Sequence, residues 1–113
     1  VMDKKIAIPT TNKVLSAHFG HCEKFVIYNV VDSKIVNDEW ITPPPHEPGS
    51  HPKFLREMGC ETIIAGGMGE RAQTLFAENN IEVFIGVPDI PLTELVQMYI
   101  KSELKSGANS CDH

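Results

Sequence analysis

Residues 62–85, TIIAGGMGERAQTLFAENNIEVFI, carry the pattern that decides the fold. Thr62-Ile63-Ile64-Ala65 is a short apolar run, rich in β-branched residues, and predicts a buried strand. Gly66 to Gly69 interrupts it, and Glu70 to Glu78 then sets Ala72, Leu75 and Phe76 on one helical face. Asn79-Asn80 closes that helix, and Ile81 to Ile85 is a second apolar run. Strand, glycine turn, helix and strand in this order form a βαβ unit, whose strands lie parallel and whose crossover is right-handed.

The flanks extend the same architecture. Lys4 to Pro9 is an apolar run ended by proline and predicts a first buried strand. Thr10 to Glu23 has no stable period and reads as a loop. Lys24 to Val31 is aromatic and β-branched, and Asp32-Ser33-Lys34 turns it into a further strand over Ile35 to Ile41, a β-hairpin. Four prolines between Thr42 and His51 exclude helix and central strand there. Ser50 can cap a short helix that follows, with Pro52 in its first turn, Phe54, Leu55 and Met58 as its apolar stripe and Gly59 as its stop. After the loop at Gly86 to Pro91, Leu92, Leu95, Val96 and Tyr99 give a last helix reaching about Leu104. The expectation is an α/β protein of three layers, α/β/α, around a five-stranded mixed sheet with one antiparallel strand. Its expected core is Phe25, Ile27, Ile63, Ile64, Leu75, Phe76, Val83, Ile85 and Leu95. One domain over residues 1–105 and a flexible polar tail over 106–113 account for the chain, since 113 residues leave no room for a second core.

Composition limits the function. Fifteen acidic against ten basic side chains give a net charge of −5, which argues against nucleic acid, because phosphate binding needs a basic surface. No apolar run approaches the roughly 20 residues of a membrane span, and no signal-type segment opens the chain. A cytoplasmic protein without membrane association is expected. Cys22, Cys60 and Cys111 are odd in number and widely spaced, so no disulfide framework is implied. Three thiols from one chain also cannot furnish an all-cysteine cluster or zinc site, so a metal centre would need histidine, exogenous ligands or a second subunit. Cys60, next to a helix stop and a strand, is expected to be buried, and His46 and His51 to face solvent.

Three segments could carry chemistry. Gly67-x-Gly69-x-x-Ala72 matches a dinucleotide fingerprint between strand and helix, with Asp89 about twenty residues on. Against this, Asp89 falls beyond the next strand, and Glu70 would repel a pyrophosphate at the helix start. A glycine turn that receives an anionic or cluster ligand through its N–H groups fits better. In the second segment, His18, His21 and Cys22 bring two imidazoles and a thiol within five residues, with Gly20 allowing the backbone to fold them together. Such ligands suit iron, copper or zinc. The competing reading makes His18 a loop hydrogen-bonder and Cys22 a small buried residue. The third segment is the tail, where Cys111 and His113 either swing onto a metal centre or are inert. There is no GxSxG elbow and no HExxH motif, and His21 beside Cys22 lacks an orienting third group, so no enzyme is expected.

Lys5 to Pro9, Leu15-Ser16-Ala17-His18-Phe19-Gly20-His21-Cys22 leading into Phe25 to Tyr28, and Ile63 to Gly69 together resemble the dinitrogenase iron–molybdenum cofactor biosynthesis family. This family comprises NifX-like accessory proteins and the C-terminal domain of NifB. The resemblance spans nearly the whole chain. It implies a ribonuclease H-like fold with strand order 3-2-1-4-5 and an antiparallel second strand, a fold that does not bring nuclease activity with it. It also implies a small carrier or scaffold for an iron–sulfur or iron–molybdenum-type cluster or its precursor, working with cluster donor and recipient proteins as a monomer or weak homodimer. The expected binding residues are Ser16, His18, Phe19, Gly20, Gly66, Gly67, Met68 and Gly69. His18, His21, Cys22, Cys111 and His113 are the expected metal ligands. A small-ligand or nucleotide-binding regulatory domain using the Gly66–Gly69 turn is the alternative.

Overall fold

The computed structural model describes residues 3–15, 23–42, 50–88 and 90–105. Its centre is β1 (Lys4–Thr11). On one side β1 pairs antiparallel with β3 (Lys24–Val31), Ile6 opposite Tyr28 and Pro9 opposite Phe25. β3 turns through Asp32 (φ 53°) and Ser33 (φ 61°) into the antiparallel β4 (Lys34–Ile41). Two successive positive φ angles give the turn hand that matches the right-handed twist of the strands. On the other side β5 (Thr62–Ile64) runs parallel to β1, with Ala7 opposite Ile63, and β6 (Glu82–Phe84) runs parallel to β5.

Among the described residues the sheet has six strands rather than the five expected. Its main path is β4-β3-β1-β5-β6, and β2 (Val14–Leu15) pairs antiparallel with the end of β1, Thr10 opposite Leu15. Two strands, β2 and β3, therefore run against β1, where one was expected. The cause is the shortness of β5. Its pairing with β1 reaches Ala7, and the free edge beyond is taken by β2, which returns through Asn12 (φ 55°) and Lys13 (φ 67°). Pro9 does not end the strand as expected. It falls between the β5 and β2 partners, so one of the two flanks where a missing N–H would cost a bond is absent.

Alternation along the strands divides the core between two faces. Ile6, Ile8, Val26, Tyr28 and Ile64 pack with Leu92, Leu95, Val96 and Tyr99 of α3 (Leu92–Ile100). Ala7, Phe25, Ile27 and Ile63 pack with Leu55 of α1 (Ser50–Glu57) and Phe76 of α2 (Glu70–Glu78). This is the three-layer arrangement expected. Each fully buried Phe or Ile contributes on the order of 1.5–3 kcal/mol. Three expected core residues, Leu75, Val83 and Ile85, are only half-buried, because α2 turns Phe76 rather than Leu75 to the sheet and β6 is an edge strand. His51 departs the other way. Expected in solvent, it is buried, its ring edge-to-face with Phe25 at 5.4 Å.

The three described helices end by one device. Cys60 N–H bonds the Leu55 carbonyl and Gly59 N–H that of Arg56; Ile81 and Asn80 do the same to Phe76 and Ala77, and Glu103 and Ser102 to Met98 and Tyr99. The pivots Gly59, Asn80 and Ser102 have φ of 87°, 58° and 60°, as this paired motif requires. That motif stops α3 at Ile100, short of the expected Leu104.

Candidate functional site

Because β1, β5 and β6 are parallel, their carboxyl ends share one end of the sheet, where open α/β sheets place their ligands. Ala65-Gly66-Gly67-Met68-Gly69 leaves β5 at that end. The chain after β6 is tied to it: Ala65 N–H bonds the Phe84 carbonyl at 2.8 Å, and Gly86 N–H bonds the Gly66 carbonyl at 3.1 Å. Gly86 takes φ 64°, the left-handed turn that lets the two loops run together. Met68 is fully buried in the α1–α2 layer, so any part it takes in binding runs through its backbone. Gln73 Nε2 donates to its carbonyl at 3.0 Å and braces the turn from within α2.

Gly69 is the N-cap of α2 and gives that helix no side-chain cap. Its φ of −63° suits any residue, and a Cβ there would meet nothing within 4 Å. The glycine therefore leaves open space beside the first-turn N–H groups of α2, a polarity that favours anions. Glu70, in that first turn, opposes the effect.

Ser16, His18, Phe19, Gly20, His21 and Cys22 lie outside the described residues, as do Cys111 and His113. The residues flanking the first segment are described. Leu15 and Lys24 stand opposite Thr10 from its two sides, and Glu23 N–H bonds the Thr10 carbonyl at 2.8 Å. Both anchors thus lie at the carboxyl end of β1, the end that carries the glycine turn. Cys60 is buried as expected, and burial pushes its thiol up to about 11, which suits packing rather than ligation. Among the described residues no three His, Cys, Asp or Glu side chains form a metal-binding group.

One feature was missed from the sequence. Trp40, 39% exposed on β4, lines two adjoining clefts with Lys13. The available signal was the placement of a lone Trp on a strand whose neighbours are Asp38 and Glu39.

The profile of the family described as dinitrogenase iron-molybdenum cofactor matches residues 2–102. The chain belongs to this family. Its members are concerned with the biosynthesis or binding of the iron–molybdenum cofactor. An uncharacterized protein of Methanocaldococcus jannaschii is 30% identical over 107 residues, 89% of each chain. Among solved structures, the crystal structure of PH0822 superposes with a TM-score of 0.81 at 28% identity, over 90% of this chain and 93% of that one. The apo form of the orange protein from Desulfovibrio gigas shares the fold, with a TM-score of 0.76 at 17% identity over 96% of both chains. No described helix is long and apolar enough to cross a membrane.

Proposed function

We propose that the chain is a non-enzymatic carrier or scaffold that holds an iron–sulfur or molybdenum-containing cluster, or its precursor, during cofactor assembly. The observation that carries this reading is the family match over residues 2–102. Geometry adds support: the anchors of residues 16–22 and the uncapped start of α2 share one end of the sheet. His18, His21 and Cys22 serve as ligands, with Cys111 and His113 contributed by the tail, and the glycine turn offers N–H groups to an anionic cargo. A carrier must release its cargo, and incomplete ligation suits that task. Cluster donors and recipients are its partners, in the cytoplasm, with the chain a monomer or weak homodimer that binds no nucleic acid. We read the fold as ribonuclease H-like, in keeping with its strand order β4-β3-β1-β5-β6. Nucleotide binding at the glycine turn is the weaker use of the same end, because Glu70 stands in the first turn of α2.

Anaerobic reconstitution with iron, sulfide and molybdate, followed by visible absorption and metal analysis, tests this reading. The wild type will retain metal on desalting at pH 7.5 and less toward pH 6, as imidazole and thiolate take up protons. Alanine at His18, His21 or Cys22, or truncation after Gly107, will lower the amount retained. Wild-type retention in every variant would exclude direct ligation, and no retention by the wild type would exclude the carrier role.

A further inference from the structure

A pair of adjoining clefts beside the carboxyl end of β1 has the dimensions of a ligand site. Thr10, Asn12, Lys13, Glu23, Lys24 and Trp40 line a cleft of about 520 Å³. A second cleft of about 480 Å³ shares Lys13 and Trp40 with it and is walled by Tyr28, Ile90, Pro91 and Leu92 at the start of α3. Each volume falls in the range of small-molecule sites, about 300–1,000 Å³. The two halves differ in chemistry. The first is the more polar of the two and is lined by Lys13 and Lys24; the second is the more apolar.

Trp40 stands at their junction. It pairs with Val26, whose side chain belongs to the α3 face, so the indole lies on that face of the sheet. Its Nε1–H donates to Asp38 Oδ2 at 3.0 Å, which fixes the ring and leaves its π surface for stacking. The charges around it are not spent on each other. Glu23 accepts the Asn12 N–H through Oε1 at 2.9 Å. Among the described residues neither Lys13 nor Lys24 has an ion-pair partner. Among the described residues that line it, Lys13, Lys24 and Glu23 leave the first cleft net positive in a chain of net charge −5. Lys13 sits at φ 67°, a left-handed conformation strained for a non-glycine residue, in the turn that brings it to both clefts.

We propose that these clefts form one binding site for a small planar anion. An aromatic or heteroaromatic ring stacks on Trp40 toward the apolar half, and its phosphate or carboxylate meets Lys13 and Lys24. The ammonium pair supplies charge and the indole supplies shape, so neither a bare anion nor an uncharged ring satisfies the whole site.

Trp40 is the single tryptophan of the chain, so its fluorescence reports on the site alone. The protein is titrated without added metal, which keeps the result separate from the carrier reading. The probes are adenosine monophosphate, nicotinate, adenosine and inorganic phosphate. Saturable quenching is expected with adenosine monophosphate, nicotinate or both, which tells phosphate from carboxylate, with a dissociation constant below about 1 mM. Adenosine and phosphate are expected to bind at least about tenfold more weakly, as is the anion in 0.5 M salt. A Lys13→Gln/Lys24→Gln double variant, exposed enough to keep its fold by circular dichroism, is expected to lose about tenfold or more. Trp40→Leu, followed by calorimetry, is expected to lose the preference for ring-bearing anions. The proposal is overturned if neither ring-bearing anion quenches saturably up to about 10 mM, or if the double variant binds as the wild type does.

Discussion

Cys60 shows how a single position sets a pH response. It lies in the α1–α2 layer, and burial raises its thiol from 9.0 to about 11, with Lys5 opposing and Glu39 adding to the shift. Between those values the folded chain keeps a proton that the unfolded chain releases. Unfolding therefore sheds protons there, and stability falls as pH rises from about 9 to about 11, by on the order of 2 kcal/mol. Burial, with Asp38 nearby, also raises Tyr28, so the thiol's share is read as a difference. Urea unfolding of wild type and Cys60→Ala at pH 8 and pH 10.5 will show a steeper loss for the wild type. Equal losses would mean the thiol titrates normally and is not shielded.

The helices are held by their ends as much as by their faces. Each stops at a residue in the left-handed region, yet the three pivots differ: Gly59 is free to take φ 87°, whereas Ser102 takes 60° against a steric cost. The same motif therefore predicts opposite signs. Gly59→Ala should lose about 1 kcal/mol, since a Cβ is strained at that φ even though its nearest neighbour, Lys5 Cδ, is at an ordinary 3.6 Å. Ser102→Gly should gain about 0.5 kcal/mol, the relief of strain being partly offset by the freer unfolded chain. Chemical denaturation of both variants checks this. Two changes of the same sign would remove backbone strain as the explanation for where α1 and α3 end.

The layers are joined by polar as well as apolar contacts. Tyr99 of α3 donates its hydroxyl to Glu82 Oε1 at 2.9 Å and accepts from Thr62 Oγ1 at 3.2 Å, bridging the helix to β5 and β6 together. Its ring meets Phe84 edge-on at 5.5 Å, and Lys4 Nζ of β1 stands 5.8 Å from its centroid. One side chain thus fastens α3 to three strands. Tyr99→Phe keeps the ring and leaves the buried Thr62 without that acceptor, so a loss of about 1–2 kcal/mol is expected in urea unfolding. A loss under about 0.3 kcal/mol would show that solvent or Glu82 replaces the hydroxyl at no cost.

Local periodicity was enough to mark β3 and α2, to place the βαβ unit, and to put Gly66–Gly69 at a strand's carboxyl end, because the spacing of apolar residues is written in neighbouring positions. The family likeness was legible too, in motifs running from Lys5 to Gly69. The tertiary structure decided the rest. β2 exists because β5 stops early on the far flank of β1, a fact about another strand's length. His51 is buried because Phe25, from a different strand, receives its ring. Leu75 is half-exposed because the sheet takes Phe76 instead. The Trp40 clefts gather residues from Thr10 to Thr93, which no window of sequence holds together. Pairing and burial depend on partners far along the chain, and only the folded arrangement names those partners.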